Sequence, residues 1–263
     1  MSDRITYTLN DGVADVRFTR GERHNALDAQ QMQAVYETGA ELAARKDVRA
    51  VVLSGEGPSF CSGLDFPSFQ QPGQSLSSAF EVEEGQTANR AQRVATVWRD
   101  IPVPVIAALH GAAFGGGFQI AMGADLRIAT PQTRLCIMEI DYGLIPDMGI
   151  SQTLPPLLPY DVALELTLSG RQIEAAEALQ LGLITRVAED AHSAALDLAR
   201  QFAARSPDAV RGTKALYLKS WPQQPQWLQL EAELQQAIVA RSNFAEAVSA
   251  KMQKRAARFE DVS

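Results

Sequence analysis

Three consecutive glycines, Gly115 to Gly117, stand between a β-rich run and an apolar helical run in the segment His110–Gln119. Because glycine has no Cβ, a ligand can approach its backbone closely. The first N–H groups of a helix lack intrahelical partners and carry partial positive charge. A helix that begins at these glycines could therefore hold an oxyanion. Taken alone, a triple glycine is more often a tight turn or a close helix contact.

A second glycine-rich segment, Gly55–Asp65, directly follows the apolar strand pattern of Ala50–Leu53. Backbone N–H groups from two such segments can converge on one carbonyl oxygen. Donors of this kind stabilise the negative charge that develops on the oxygen during reaction, and each is worth roughly 3 kcal/mol in enzymes. The two segments together favour an oxyanion-stabilising site over two unrelated turns.

The segments Phe60–Asp65 and His110–Gly117 resemble the paired signatures of the crotonase (enoyl-CoA hydratase/isomerase) superfamily. The resemblance implies an α/β fold, a crotonase-like spiral of repeated ββα units with a C-terminal helical region. It also implies an acyl-CoA thioester as the substrate. Further pieces continue the resemblance in the family's order: Arg23–Leu27, Ala124–Ala129, Glu139 with Gly143–Pro146, Leu168–Arg171 and Ala175–Leu183.

The resemblance assigns the oxyanion donors to the backbone N–H groups of Leu64 and Gly116, and the catalytic carboxylate to Glu139. A Cβ at Gly116 is expected to intrude on the substrate. Burial of Glu139 among its apolar neighbours should raise its pKa toward the working range of a general acid or base. The alternative is an exposed glutamate at a strand end, where most glutamates lie.

Two positions depart from the pattern of the family's hydratases. Gln119 replaces a second glutamate that helps to hold and split water, and an amide forms hydrogen bonds but cannot shuttle a proton. Asp147 stands where hydratases commonly carry glycine. Dienoyl-CoA isomerases pair this acid with the catalytic glutamate, although they also have aspartate at the position of Gln119. Asp147 is either a second proton-transfer group or a helix cap or turn residue.

These departures favour isomerisation of a 3-enoyl- or 3,5-dienoyl-CoA through a stabilised enolate. Glu139 alone could shift a 3-enoyl to a 2-enoyl double bond, so an isomerase fits both interpretations of Asp147. A 2-enoyl-CoA hydratase is the alternative. A non-catalytic acyl-CoA-binding paralogue is a further one, against which the retained Glu139 argues. No cofactor is expected, since CoA is part of the substrate.

The resemblance also indicates which residues contact the substrate and its CoA. Arg23 and His24 lie where related enzymes pass near the pantetheine and phosphates, and the loop backbone before Gly63 is expected to face the adenine. A C-terminal lysine of the family is matched by Glu260, so a nearby C-terminal arginine, Arg255 or Arg258, would replace it. The expected substrate contacts are Arg23, His24, Ser59, Phe60, Ser62, Gly115 and Gln119.

Composition narrows the class of protein further. The 263 residues carry a formal net charge of −7, which argues against a nucleic-acid surface. The two cysteines, Cys61 and Cys136, give neither a disulfide framework nor a metal-ligand set. No apolar run is long enough to span a membrane and Met1–Arg4 leads into a strand pattern rather than a signal sequence, so we expect a cytoplasmic protein.

The elements that must position the site follow from the periodicity of apolar residues. Residues 1–190 are predicted to form the ββα core with the active site. Residues 191–263 are predicted to form a helical oligomerisation region, which the resemblance links to a homotrimer or hexamer. The segment Phe66–Gln86 is predicted to be a mobile loop. Helices are predicted at Leu27–Arg45, Gly85–Arg99, Ala194–Ala204, Ala209–Lys219, Trp227–Arg241 and Asn243–Arg258.

Overall fold

The structure is a computed structural model, and it describes residues 3–70, 77–82, 84–220 and 226–258. The first two strands form a hairpin, in which β1 (Ile5–Asn10) pairs with β2 (Val13–Phe18) across a turn at Asp11 and Gly12. Both turn residues have positive φ, 50° and 81°, which aspartate and glycine tolerate better than other residues.

A six-stranded sheet forms the first layer. It has the order β1-β2-β3-β4-β6-β9, and every pair after the hairpin is parallel. Its central strands are buried along their whole length, which is why they read as continuous apolar runs rather than as alternating patterns. The added strands are β3 (Ala50–Gly55), β4 (Val105–Leu109), β6 (Leu126–Ala129) and β9 (Arg186–Val187).

A second sheet of three strands has the order β5-β7-β8. The chain passes from the large sheet to the small one between β4 and β5 and between β6 and β7, and it returns from β8 to β9. Helices lie between β5 and β6, between β7 and β8, and between β8 and β9. This alternation confirms the predicted spiral of ββα units. The strands are β5 (Ala112–Phe114), β7 (Arg134–Cys136) and β8 (Ile173–Glu174), and the helices are α4 (Gly116–Gly123), α5 (Ile150–Thr153), α6 (Tyr160–Ser169) and α7 (Ala175–Leu181).

Helix α3 (Arg90–Asp100) packs on both α4 and α1 (Ala29–Ala44). The side chain of Asp28 accepts a hydrogen bond from the Gln31 N–H at 2.7 Å and caps α1. Asn89 and Gln92 form a capping box, so α3 starts five residues later than predicted.

The segment predicted as a mobile loop contains regular structure. It begins with a short helix, α2 (Phe66–Phe69), and it includes a 3-10 turn at Ser77–Phe80. The prediction missed both elements because they span only about one turn each, too short for apolar periodicity to show. Residues 71–76 and 83 of the predicted loop lie outside the described residues.

Four helices make up the C-terminal part of the chain. Alanine side chains of α8 pack against the six-stranded sheet. Helix α10 lies against α5, and α11 lies against a 3-10 turn at Glu139–Tyr142. Lys254 has φ +53°, so α11 ends before the predicted Arg258. The division at residue 190 stays a prediction. The helices are α8 (Ala191–Ala203), α9 (Pro207–Ser220), α10 (Gln226–Val239) and α11 (Ser242–Met252).

Candidate active site

Close backbone contact joins the two glycine-rich segments. Cys61 pairs with Ala113 as an isolated parallel bridge, and the Cys61 N–H donates to the Ala112 carbonyl at 3.1 Å. A Cβ at Gly117 would lie 2.2 Å from the Cys61 carbonyl oxygen, and one at Gly111 would lie 2.0 Å from that of Pro58. These two glycines are therefore required because only a bare backbone lets the segments approach so closely.

The approach brings Leu64 and Gly116 to one cleft, as the sequence predicts. Leu64 is fixed by a bridge to Leu27, whose own N–H donates to the Gly63 carbonyl and whose carbonyl accepts from the Asp65 N–H. Gly116 is the first residue of α4, where a helical N–H has no partner within the helix. Neither N–H has an acceptor among the residues that the structure describes. Both are free to donate to a ligand oxygen.

Glu139 forms one wall of the same cleft. A Cβ built on Gly115 would lie 3.4 Å from the Glu139 Oε1 atom, which places the carboxyl group beside the glycines. The rings of Phe66 and Tyr142 stack with centroids 4.2 Å apart. The cleft is lined by Ser62, Gly63, Leu64, Phe66, Gly115, Gly116, Met138, Glu139, Tyr142 and Leu144.

The Glu139 carboxyl group is buried rather than placed at an exposed strand end. Glu139 is the first residue of the 3-10 turn and is 8% exposed. Oε1 accepts a hydrogen bond from the Gln119 Nε2 at 2.7 Å, whereas Oε2 has no hydrogen-bond partner among the described residues. Burial raises the pKa of Glu139 to about 7, the direction that the sequence predicts. A carboxyl group of this kind can take and return protons near neutral pH.

Gln119 links Glu139 to the next turn of the chain. The Met148 N–H donates to the Gln119 Oε1 at 2.8 Å, and since a backbone N–H can only donate, this bond fixes the orientation of the amide. The amide nitrogen then faces Glu139. Both ends of Gln119 are engaged with protein groups.

Asp147 is a second buried acid, close enough to Glu139 for their charges to interact, although it is not among the residues that line the cleft. It is 4% exposed, and within the part of the chain that the structure describes its Oδ2 has no hydrogen-bond partner. The interpretation of Asp147 as a helix cap is wrong, because Gly149 precedes α5 and no side chain caps that helix. Burial, and then the charges of Glu139 and Glu231, hold the pKa of Asp147 well above its usual range.

Two polar side chains of α10 reach this region, and the sequence analysis missed both. Glu231 accepts hydrogen bonds from the N–H groups of Gly149 at 2.9 Å and Ser151 at 2.6 Å. The Gln235 Oε1 accepts from the Ile145 N–H at 3.2 Å. Both acceptors share the buried face of α10 with Leu228 and Ala232. Their helical spacing along an apolar stripe was a signal that could have found them.

Of the predicted CoA contacts, the structure brings Ser62 and Gly115 to the cleft but not Phe60. The Phe60 side chain is wholly buried against Phe18, with ring centroids 5.5 Å apart, because it forms part of the core. Its N–H donates to the His110 carbonyl, so neither the ring nor the amide is open to a ligand.

Of the other predicted contacts, Arg23 and His24 lie at the surface beside the cleft, whereas Ser59 is buried, at 3% exposed. Arg23 is exposed and borders a polar pocket, whose other members include Arg20 and Asp65. His24 is also exposed, and its Nδ1 lies 3.0 Å from the Ser59 Oγ. Arg23 and His24 can therefore meet a bound ligand only outside the cleft itself.

The C-terminal arginines are arranged around one acid. Arg255 pairs with Glu246 at 2.6 Å, and the Arg258 N–H donates to the same carboxylate at 2.7 Å. Glu260 lies outside the described residues.

The expected effect of a Cβ at Gly116 needs correction. That atom would lie 2.8 Å from the Leu27 Cδ1 and 2.9 Å from the Met148 Sδ, so it would clash with core side chains rather than with a substrate. The reason is that α4 turns this face of Gly116 toward the interior. A substitution there disturbs packing as well as the oxyanion donor.

A cysteine nucleophile does not fit the site. Burial raises the pKa of the Cys61 and Cys136 thiols to about 12, so neither forms the reactive thiolate at neutral pH.

None of the helices that the structure describes is long and apolar enough to cross a membrane.

Known proteins with similar sequences are enzymes of acyl-CoA metabolism. A peroxisomal Delta(3,5)-Delta(2,4)-dienoyl-CoA isomerase of Arabidopsis thaliana is 33% identical over 97% of this chain and 95% of its own length. The (E)-benzylidenesuccinyl-CoA hydratase of Thauera aromatica is 33% identical over 80% of each chain.

Solved structures agree with this grouping. The crystal structure of an enoyl-CoA hydratase/isomerase from Pseudoalteromonas atlantica matches 98% of this chain and all of its own, with a TM-score of 0.83 at 28% identity. The sequence profile of the enoyl-CoA hydratase/isomerase family matches residues 8–262. The chain is thus an enzyme of the crotonase superfamily and belongs to the enoyl-CoA hydratase/isomerase family.

Proposed function

We propose that this enzyme isomerises double bonds of an acyl-CoA, with a 3,5-dienoyl- or 3-enoyl-CoA as substrate. The observation that carries the proposal is the pair of buried acids, Glu139 and Asp147, each with one carboxyl oxygen that has no hydrogen-bond partner in the described residues. Two proton-transfer groups suit a reaction that removes a proton at one carbon and returns one at another. The dienoyl-CoA isomerase from Arabidopsis among the relatives supports the same activity.

The thioester carbonyl oxygen would accept hydrogen bonds from the N–H groups of Leu64 and Gly116. The ionised Glu139 takes a proton from C2, and the electron pair moves into an enolate whose oxygen those two donors stabilise. The double bonds then shift toward the thioester. Glu139 ends the step protonated, and no water is consumed.

The returning proton goes to the far end of the shifted system, C4 in a 3-enoyl or C6 in a 3,5-dienoyl substrate. We assign this transfer to Asp147 for the dienoyl substrate, because burial and the charge of Glu139 raise its pKa and so favour its protonated form beside an ionised Glu139. For the 3-enoyl shift Glu139 alone can serve both carbons. Exchange with solvent after product release restores both starting protonation states.

The surroundings of Gln119 support isomerisation over hydration. A hydratase must hold a water molecule and move its proton, whereas this amide is bound at both ends, to Glu139 and to the Met148 N–H. The amide also cannot act as an acid or base that gives up and regains a proton in such a step. Hydration of a 2-enoyl-CoA remains the second candidate, because the relatives include named hydratases.

Turnover of three thioesters, followed by ultraviolet absorbance, tests the proposal. We expect conversion of 3,5-dienoyl-CoA and 3-enoyl-CoA, and little hydration of 2-enoyl-CoA. Glu139→Gln should lower kcat by about 10² to 10⁴-fold, since it removes the general base. The matched control is Asp141→Asn, which neutralises an exposed acid in the same turn.

Each outcome of this assay is informative. Rapid hydration of 2-enoyl-CoA without isomerisation would establish the hydratase instead. Full activity of Glu139→Gln would contradict the role of Glu139. If none of the three substrates is turned over while CoA thioesters still bind, the result would indicate a non-catalytic acyl-CoA-binding protein or another enolate reaction.

The cofactor, assembly and location are part of the same proposal. We expect no cofactor beyond the CoA of the substrate, and a homotrimer or hexamer of this chain. Exposed apolar side chains on α6, including Tyr160 at 79% and Leu168 at 59% exposed, support self-association. A cytoplasmic location stays a prediction.

A further inference from the structure

The turn that carries Asp147 depends on distant side chains for its hydrogen bonds. It runs from Ile145 to Ser151 and leads into α5, a helix of only four residues. Four of its backbone N–H groups donate to side chains of α4 and α10, rather than to nearby carbonyls. The pairs are Ile145 with Gln235, Met148 with Gln119, and both Gly149 and Ser151 with Glu231.

Glu231 supplies two of these four acceptors and is itself held in place. It is 6% exposed, and its Oε2 also lies 3.3 Å from the Gln92 Nε2. That amide donates to the Leu228 carbonyl at 2.7 Å, and its oxygen belongs to the capping box of α3. Bonds from N–H donors to a buried carboxylate are stronger than neutral ones and fix its orientation.

The turn has little room to move away from this anchor. Gly149 has φ +88°, and a Cβ there would lie 2.7 Å from the Thr96 Cγ2 on α3. On the opposite side, the Met148 N–H is bound by Gln119, which also bonds Glu139. A continuous series of hydrogen bonds therefore runs from the Glu139 carboxyl group through Gln119 and the turn to Glu231.

We propose that Glu231 is a positioning residue, which from α10 fixes the turn that carries Asp147 and keeps a negative charge beside that acid. This inference rests on the proposed function, in which Asp147 delivers a proton to the substrate. Among the described residues, the charged groups that act on Asp147 are Glu139 and Glu231, and both are acids. Their negative charge disfavours ionisation of Asp147, which favours its protonated form.

The test compares the wild-type enzyme with Glu231→Gln in 3,5-dienoyl-CoA turnover over a range of pH. The glutamine can accept only one of the two N–H bonds well, since its own NH₂ group faces the other. We expect kcat to fall about 10-fold with KM changed less than about twofold, because the acid is displaced but binding is not. Loss of the charge should also move the alkaline limb of the pH profile about half a unit lower.

Two further variants separate the possible causes. Glu233→Gln removes the same charge from the exposed face of the same helix and should leave kcat, KM and the alkaline limb unchanged. Glu231→Asp keeps the charge but withdraws it by one methylene. It should lower kcat while leaving the alkaline limb near its wild-type position. Glu231→Asp also provides the test if Glu231→Gln does not fold.

A lowered melting temperature of Glu231→Gln with unchanged kcat and alkaline limb would show a merely structural role and overturn the inference. The proposed function is tested separately by Asp147→Asn. If Asp147→Asn keeps full dienoyl-CoA turnover, the proposed function of the Glu139 and Asp147 pair is contradicted, whatever the Glu231 variants show. If Asp147→Asn loses that turnover while Glu231→Gln keeps it, only the inference fails.

Discussion

The side chains of Glu139 and Asp147 lie in one desolvated region, where two negative charges would repel each other. Burial raises the pKa of both groups, to about 7 for Glu139 and well above the usual range for Asp147. The pair therefore titrates as a unit, in which one group ionises first and makes the second ionisation harder. With Glu139 as the base and Asp147 as the acid, the singly ionised pair is the active form.

The pH dependence of turnover follows from this arrangement. For 3,5-dienoyl-CoA we expect kcat/KM to rise with pH through about 7, as Glu139 ionises, and to fall at higher pH, as Asp147 loses its proton. Initial rates between pH 5 and pH 10 measure the profile.

The matched variant is Asp147→Asn. It should lose dienoyl-CoA turnover by about 10²-fold or more and keep 3-enoyl-CoA turnover with only the rising limb. A wild-type profile that is flat from pH 6 to pH 8 would contradict the assignment of Glu139 as the titrating base.

Among the elements, the contact between α4 and the loop after β3 determines where the oxyanion donors lie. We expect Gly117→Ala to lower stability by about 2 to 3 kcal/mol, because its Cβ would meet the Cys61 carbonyl at 2.2 Å. The loop must then move, and Leu64 moves with it, so kcat should fall by about 10²-fold. Thermal melts and turnover of the same preparation measure both effects.

Gly212→Ala is the control for this change. Gly212 lies on the exposed side of α9, and a Cβ there would have no atom within 4 Å. Alanine should raise stability by about 0.5 to 1 kcal/mol, since it restricts the unfolded chain and favours the helix. Turnover should not change. If Gly117→Ala behaved like Gly212→Ala, the close approach would not be what positions Leu64.

Much of this contact could be predicted from the sequence, because its signals are local. The glycine-rich segments, the strands before them and the burial of Glu139 all follow from the order of apolar and small residues near each position. The correction at Gly116 shows the limit of such signals. Which way its missing side chain would point depends on how α4 sits on Leu27 and Met148, and that is a property of tertiary packing.

For a similar reason, the sequence could not predict that Glu231 holds the turn that carries Asp147. Glu231 lies 82 residues from Gly149, and a glutamate on a helix is expected to face water. Asp147 itself follows Pro146 ahead of a helix, which locally favours a cap. Only the folded chain shows that Glu231 binds the turn and that Asp147 is buried, with its Oδ2 unpartnered among the described residues.

For the whole molecule, the buried acids link stability to pH. Glu139, Asp147, Glu231 and Asp100 all have pKa values raised by burial. A folded state with raised carboxyl pKa values binds more protons than the unfolded chain, so the free energy of unfolding decreases as pH rises between the two pKa values. The surface acids Glu165, Glu177 and Glu246 have lowered pKa values, and their stabilisation is lost only at more acidic pH.

Glu139→Gln measures the share of one group in this dependence. The pKa of Glu139 rises from 4.5 to about 7 on folding, and one unit corresponds to about 1.4 kcal/mol, so its ionisation costs the fold about 3 kcal/mol above pH 7. We expect the melting temperature of the variant, relative to wild type, to increase from pH 5 to pH 8. Glu233→Gln changes a side chain that faces water in both states and should show no such trend. A constant difference between Glu139→Gln and wild type across this range would mean that the folded protein holds the charged carboxylate without cost, and the general-base assignment would then lose its physical basis.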